Sequence, residues 1–399
     1  MSKPLNIGIV ANTAFNIYNF RLGLINALKK EGHHVIAVAP KDEYTDLLKQ
    51  NNIEFIEVQN LARKGTNPFN DLKLLNEFRK IYKQQQLDVV LQYTIKPNIY
   101  GTLASRFTNT KTICTVTGLG YTFLNKSIAS KIAHSLYRLA FSFADKVLFQ
   151  NNDDIEIFLS NKLVDKHKVQ LVAGSGIDIQ KFHPDFCSKK NEETVIANEE
   201  KQSFDSTDGL VPRHDGVVRF LMIARLLKDK GIYEYVDAAK QILQKNENVE
   251  FHILGDIDND NPSAIKKQEL DTWIKDGIIY YHEHTKDTRP FICATDCVVL
   301  PSYREGMPRV ILEGMAMGKP CITTDAPGCK DAVIDGESGF LCKTADVISL
   351  KECMERFISA EKTYKIQIGI NARKRAETIF SNEAVNLTYI NLLSNFGQF

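Results

Sequence analysis

Glu305 and Glu313 belong to a stretch, Leu300 to Gly314, that reads as an apolar run, a polar loop containing glycine, and a helix start. Cys297 to Leu300 has the composition of a buried parallel strand. Ser302 to Met307 make the loop, and Pro308 suits the first turn of a helix, where its missing N–H is not needed. A strand, a loop and a helix N-terminus in succession can hold an anion through backbone N–H groups and the helix dipole. Carboxylates repel phosphate, so two glutamates beside an anion site call for a ligand with hydroxyls as well as charge. A sugar nucleotide has both, with hydroxyl-rich groups at either end of a diphosphate. Glu305 then accepts hydrogen bonds from the sugar and Glu313 from the ribose, and such bonds to a carboxylate are charge-assisted. The same spacing also fits a helix that merely caps itself and exposes two acids, so the rest of the chain has to decide.

Ala224 to Gly231 supplies the complementary charge. This stretch, Ala-Arg-Leu-Leu-Lys-Asp-Lys-Gly, follows a strand-like run directly, which puts Arg225 and Lys230 at a strand's carboxyl end. An arginine grips a diphosphate through paired N–H donors, and a lysine adds a movable point charge. Together they can neutralise the charge that grows on a nucleoside-diphosphate leaving group. The competing reading is a solvated basic turn, which Lys228 certainly is.

The elements that must position these groups alternate along the chain. Asn6 to Ala11 is a first strand, a helix follows to Lys30, and Gly32 ends it before a strand at Val35 to Ala39. Strand-like runs recur at Ile53–Val58, Val89–Tyr93, Lys111–Val116, Lys146–Gln150 and Lys168–Val172. They recur again at Val218–Ala224, Val249–Leu254, Ile278–His282, Cys297–Leu300, Cys321–Thr324 and Phe340–Cys342, and Asp346 to Phe396 reads as mostly helical. Helix-length segments between them argue for parallel sheets covered on both faces. The expected architecture is α/β, with two Rossmann-like doubly wound domains facing a cleft. Residues 1–184 form the N-terminal domain, 185–216 a polar linker, and 217–380 the C-terminal domain that carries the candidate sugar-nucleotide residues. Residues 381–399 form a helix that packs back towards the N-terminal domain.

Composition excludes several classes. A chain of 399 residues with 43% hydrophobic and 25% charged residues is an ordinary globular protein long enough for two domains. Its net charge of +1 hides an asymmetry. Met1 to Pro184 carries 23 Lys and Arg against 15 Asp and Glu, and the remainder 27 against 34. A basic N-terminal half fits an anionic acceptor or an anionic lipid surface rather than nucleic acid. No apolar run approaches the roughly 18 residues of a transmembrane helix, and the start of the chain does not read as a signal peptide. The eight cysteines show no zinc-like pairs, and free cytosolic thiols are the expected state. There is no G-x-G-x-x-G after the first strand and no G-x4-G-K-[ST], which argues against a nicotinamide enzyme and a P-loop NTPase.

The pattern A-R-x4-K-G followed by P-S-Y-x-E-G-x-P-x3-L-E resembles the retaining glycosyltransferase family 4, of the GT-B fold. Gly174-Ser175-Gly176-Ile177-Asp178 with Phe182, Thr324 to Cys329 and Asp335 to Phe340 are similar to further parts of that family's pattern. Asn16 to Arg21 and Thr117 to Tyr121 look like the branch acting on polyprenyl-diphosphate-linked sugars, notably bacterial N-acetylgalactosaminyltransferases. The resemblance implies a UDP-sugar donor. Arg225 and Lys230 would then hold its diphosphate, Glu305 with the backbone of Gly306, Met307 and Pro308 its sugar, and Glu313 its ribose. It also implies that Asn16, Arg21, Thr117 and Gly118 meet a lipid-linked saccharide acceptor during glycan assembly. The expected location is cytoplasmic, at the periphery of the inner membrane's cytoplasmic face. Catalysis would rest on Glu305, Arg225 and Lys230.

The chain departs from the family in two places. Asn12-Thr13-Ala14 stands where many members have a glycine pair, and no histidine lies near Thr117. A histidine general base is therefore not carried over; front-face attack, with a donor phosphate oxygen taking the acceptor proton, needs only positioning and electrostatics from the protein. Asp256-Ile257-Asp258 has the letters of a metal motif, but the fold usually works without metal, and neither metal nor cofactor is expected. Lys126 to Phe143 is the membrane candidate. Ile128, Ile132, Leu136, Leu139 and Phe143 recur at helical spacing with Lys131, His134 and Arg138 on another face. Either the apolar stripe faces the core, or the helix presents a basic surface, extended by Lys96 and Arg106, to anionic lipid or the acceptor's diphosphate. A sugar-nucleotide epimerase and a catalytically silent partner subunit are the alternatives. The first needs acid and base groups beyond Glu305, and the second has no need of Arg225, Lys230, Glu305 and Glu313 together.

Overall fold

The computed structural model describes residues 3–61, 68–119, 128–187 and 216–394. The chain forms two compact units, 1–176 with 382–399, and 177–381.

In the first unit seven parallel strands lie in the order β3-β2-β1-β4-β5-β6-β7. They are β1 Asn6–Val10, β2 His34–Ala39, β3 Glu54–Glu57, β4 Val89–Tyr93, β5 Lys111–Val116, β6 Lys146–Phe149 and β7 Val169–Leu171. Strands β1, β2, β4 and β5 are near-continuous apolar runs because both faces of the sheet are covered. Helix Ala14–Lys30 starts where Thr13 accepts a hydrogen bond from the Asn16 N–H at 3.0 Å. Ile17, Leu24, Ile25 and Leu28 on its inner face join the core. The last helix, Asn382–Ser394, completes that core with Val385, Tyr389, Leu392 and Leu393. It lies so close to the first helix that a Cβ on Gly23 would stand 2.8 Å from the Asn382 amide nitrogen.

The second unit has six parallel strands in the order β10-β9-β8-β11-β12-β13. They are β8 Val218–Ile223, β9 Val249–Leu254, β10 Tyr280–His282, β11 Cys297–Leu300, β12 Cys321–Thr324 and β13 Phe340–Cys342. Phe220, Phe251, Phe340 and Phe357 pack edge or face against one another at its centre.

Two expectations need correction. The first unit ends at Gly176 rather than at residue 184, because the chain from Ile177 is bonded into the second. Ile177 donates its N–H to Phe380 O at 2.8 Å, and the Arg373 guanidinium gathers the carbonyls of Ile179 and Phe182. Of the expected linker, 188–215 lies outside the described residues. The thiols are not all free either: Cys187 and Cys293 form a disulfide, with their Cα atoms 5.3 Å apart. Sequence offered no sign of it, since 106 residues separate the pair.

Candidate functional site

The C-terminal unit builds its site from the turns after β8 and β11. Lys228–Lys230 is a single 3-10 turn closed by Gly231 at φ 75°, a backbone that glycine adopts without steric penalty. A Cβ there would also lie 2.1 Å from the Pro301 carbonyl oxygen, so only glycine lets the turn approach the end of β11. The approach is then locked. Tyr303 N donates to Asp229 O at 2.9 Å, Ser302 Oγ donates to the same carbonyl at 3.2 Å, and Thr324 Oγ1 holds Ser302 O at 2.5 Å. From the other side Glu305 N donates to Pro327 O at 3.1 Å, and Gly328 passes so close that a Cβ would meet Glu305 O at 2.2 Å.

This clamp brings Lys230 Nζ and Glu305 Oε1 into a direct ion pair, with only 18% and 17% of the two side chains exposed. Burial strengthens the attraction between the two charges while each loses hydration, so removing either partner is more costly than at a surface pair. Pro308 caps helix Arg309–Ala316 rather than entering its first turn, its carbonyl accepting from the N–H groups of Ile311 and Leu312. Glu313, buried on that helix, accepts from Arg309 Nε at 3.0 Å and from Thr288 Oγ1 at 3.1 Å. Thr288 was missed by sequence reasoning, because it comes from a distant turn with no motif around it. The Cys329 thiol, near Glu305 and Lys230, is pushed up to about 12 by burial and then by the Glu305 charge, and it stays neutral.

Arg225 sits apart from that pair. Its side chain is half exposed and its Nη1 bonds Asp258 Oδ2 at 2.9 Å. The second aspartate of the metal-like triplet is thus occupied by an arginine, and Asp256 Oδ1 accepts from His284 N at 3.1 Å. Among the described residues no group of three or more His, Cys, Asp and Glu is arranged to hold a metal ion.

In the N-terminal unit the expected acceptor residues fall into three places. Asn16 and Arg21 are on the first helix, and Arg21 is fully buried with its guanidinium 3.7 Å over the Tyr93 ring. Thr117 and Gly118, at φ 120°, follow β5; Tyr121 lies outside the described residues. Lys131 and Arg138 are on helix Ile128–Phe143, where Arg138 donates to Lys162 O at 3.1 Å and Asn161 O at 3.0 Å. Those bonds close the end of helix Asn152–Ser160 and engage two of its nitrogens.

The apolar stripe of Ile128–Phe143 is divided between the two readings: Leu136 packs against the core, and other members face outward. Tyr137, Ala140 and Phe141 fill the core, while Ile132 and Leu139 are 55% and 49% exposed. Phe143 is also exposed and carries Arg106 over its ring at 4.5 Å, with exposed Phe107 next to that arginine. Lys96 does not join this surface, being tied to Asp71 at 3.0 Å.

Comparison with known proteins finds two family models along the chain. Glycosyl transferases group 1 match residues 212–375, and the glycosyl transferase 4-like family matches residues 7–151. A Campylobacter jejuni N,N'-diacetylbacillosaminyl-diphospho-undecaprenol alpha-1,3-N-acetylgalactosaminyltransferase is 29% identical over 93% of this chain and 94% of its own length. A Staphylococcus aureus capsular polysaccharide biosynthesis glycosyltransferase is 28% identical over 91% of this chain and 90% of its own. Among solved structures, a glycosyltransferase from Rickettsia africae superposes with TM-score 0.76 at 19% identity, covering 99% of each chain. An Anabaena protein in complex with UDP and glucose gives TM-score 0.77 at 19% identity, over 98% of this chain and 99% of its own.

Proposed function

With a glycosyl transferase 4-like domain followed by a glycosyl transferases group 1 domain, the chain is a GT-B glycosyltransferase that depends on a nucleotide sugar, and on that premise we propose that it moves a hexose or N-acetylhexosamine from a UDP-sugar to a polyprenyl-diphosphate-linked saccharide. The proposed setting is the assembly of a bacterial surface polysaccharide or glycan, with retention at the transferred carbon. The observation that carries the donor side is the locked pair of Lys230 and Glu305 at the ends of β8 and β11. It joins a cation suited to the leaving diphosphate with a carboxylate suited to sugar hydroxyls. Arg225 adds a second grip on the diphosphate, the backbone of Gly306, Met307 and Pro308 frames the sugar, and Glu313 takes the ribose. Asn16, Arg21, Thr117, Gly118, Lys131 and Arg138 belong to the acceptor side.

No external base is required in this reading. The acceptor hydroxyl attacks the sugar carbon on the face from which UDP leaves, its proton passes to a phosphate oxygen, and Lys230 and Arg225 absorb the charge on the departing diphosphate. Incubation of the pure protein with UDP-sugars and a lipid-linked saccharide, scored for acceptor-dependent UDP release, tests it. Release is expected to persist in EDTA, since side-chain cations and a helix N-terminus neutralise the phosphates. A reversible loss restored by magnesium or manganese would place a metal in the reaction and defeat the metal-free part.

The acceptor's lipid calls for a membrane surface. No described helix is long and apolar enough to cross a bilayer. Exposed Ile132, Leu139 and Phe143 beside Lys131, Arg138 and Arg106 have the makings of an interfacial helix, apolar side chains entering the headgroup boundary and cations meeting anionic lipid. The proposed location is the cytoplasmic face of the inner membrane. Co-sedimentation with vesicles containing phosphatidylglycerol is expected for the wild type, and Ile132→Ser with Leu139→Ser is expected to abolish it. Equal sedimentation of both proteins would remove this helix from the interface.

A further inference from the structure

The N-terminal sheet reverses its winding between β1 and β4, and ligands of open α/β sheets gather at the carboxyl ends of strands flanking such a reversal. Unused polar groups collect there. Arg21 is only 2% exposed, yet among the described residues its guanidinium makes no hydrogen bond and no ion pair; its contact is the Tyr93 ring. Buried cations are ordinarily matched by a carboxylate or by several acceptors, and among the described residues this guanidinium has neither. Thr94, the next residue after Tyr93, adopts φ 71°, a conformation rare for a β-branched side chain, and its Oγ1 is buried with no partner. Asn16 Oδ1, in the first turn of the helix that carries Arg21, is likewise buried and unpartnered. Register places the segments that carry them at the same end of the sheet. Val10 stands opposite Gln92, so the chain leaving β1 for that helix runs beside Tyr93 and Thr94.

We propose that Arg21 and Thr94 receive a phosphate group of the acceptor's diphosphate, Arg21 as its counter-charge and Thr94 as a neutral hydroxyl donor. Asn16 Oδ1 accepts from a hydroxyl of the sugar attached to that phosphate. The chemistry follows from the inventory: one cation, one hydroxyl donor and one amide acceptor, with no acid among them, select an anion that carries a hydroxyl neighbour. Thr94 enters as a residue that neither spacing nor resemblance had marked. The inference rests on the lipid-linked acceptor proposed above. Donor and acceptor both contain a diphosphate, so the test has to separate them.

Calorimetric titration of the full chain with farnesyl diphosphate, UDP and inorganic diphosphate does so. Arg21→Gln is expected to weaken farnesyl diphosphate about tenfold or more, and Thr94→Ala by several-fold, with UDP affinity unchanged in both. Arg21→Lys keeps the charge, is the variant to use if Arg21→Gln does not fold, and is expected to retain part of the affinity. A folded Arg21 variant that binds farnesyl diphosphate as the wild type does would overturn the anion site while leaving the acceptor reading intact. A loss confined to UDP would assign the anion to the donor and overturn the proposal equally. If the wild type ignores farnesyl diphosphate but binds inorganic diphosphate in an Arg21-dependent way, the acceptor reading fails and the anion site stands.

Discussion

Lys230→Ala is expected to lower transfer at saturating donor about 100-fold or more, the usual effect of removing one charge contact to a leaving group. Two losses combine in it. The departing diphosphate loses a cation, and Glu305, a carboxylate only 17% exposed, loses its ion pair with Lys230. Arg225→Ala should cost less, because that side chain is 54% exposed and its pairing with Asp258 is screened by solvent. The turn that carries Lys230 is fixed by backbone contacts between Tyr303 and Asp229, which the substitution does not touch. A thermal melt close to wild type is therefore expected beside the collapse in kcat. Turnover of Lys230→Ala within a few-fold of wild type would sink the assignment of the diphosphate to this turn.

The second large effect separates the two glutamates. Glu313→Gln should weaken UDP roughly 10- to 100-fold, the range of a lost hydrogen bond to a charged group. Glu313 is held by Thr288 and Arg309, so its carboxylate is pre-aimed, and the ribose contact proposed for it would form already in the ground state. Glu305→Gln should leave UDP affinity nearly intact and cut kcat, because its partner in the reaction is the sugar whose bond breaks. The amide keeps the shape of the acid and loses the charge. Calorimetry of UDP binding to each variant, alongside turnover at saturating donor, reads the two separately. If Glu305→Gln abolished UDP binding while Glu313→Gln left it untouched, the sugar and the ribose would have to exchange places.

The strands were legible because a sheet covered on both faces writes itself as short apolar runs; β4, β5, β9, β11, β12 and β13 begin and end where composition says. The Lys230–Gly231 and Glu305 stretches were legible for a different reason: Gly231 and Gly328 are positions where any side chain would strike a carbonyl, and such constraints leave motifs. What stayed hidden depends on contacts between distant segments. Helical spacing revealed the apolar stripe of Ile128–Phe143 but not its direction. Tyr137 and Phe141, packing on Phe158, make the larger buried face and turn Ile132 and Leu139 outward. Thr288 reaches Glu313 across 25 residues, and the left-handed backbone of Thr94 has no letter in the sequence to announce it.

Three cations of the C-terminal site already have an anion of their own: Arg225 with Asp258, Lys230 with Glu305, Arg309 with Glu313. Paired in this way, these three cations project little net field past the roughly 10 Å that physiological salt would allow. Capture of a nucleotide sugar then depends on an exchange at close range, not on attraction from afar. In the proposed reading, a diphosphate that takes Lys230 from Glu305 also releases the carboxylate for the hydroxyls of the sugar arriving with it. A free sugar offers no such trade, and a nucleotide without its sugar breaks the Lys230 pair while bringing Glu305 no hydroxyls in exchange. The pairing makes the two halves of the donor each other's condition for entry.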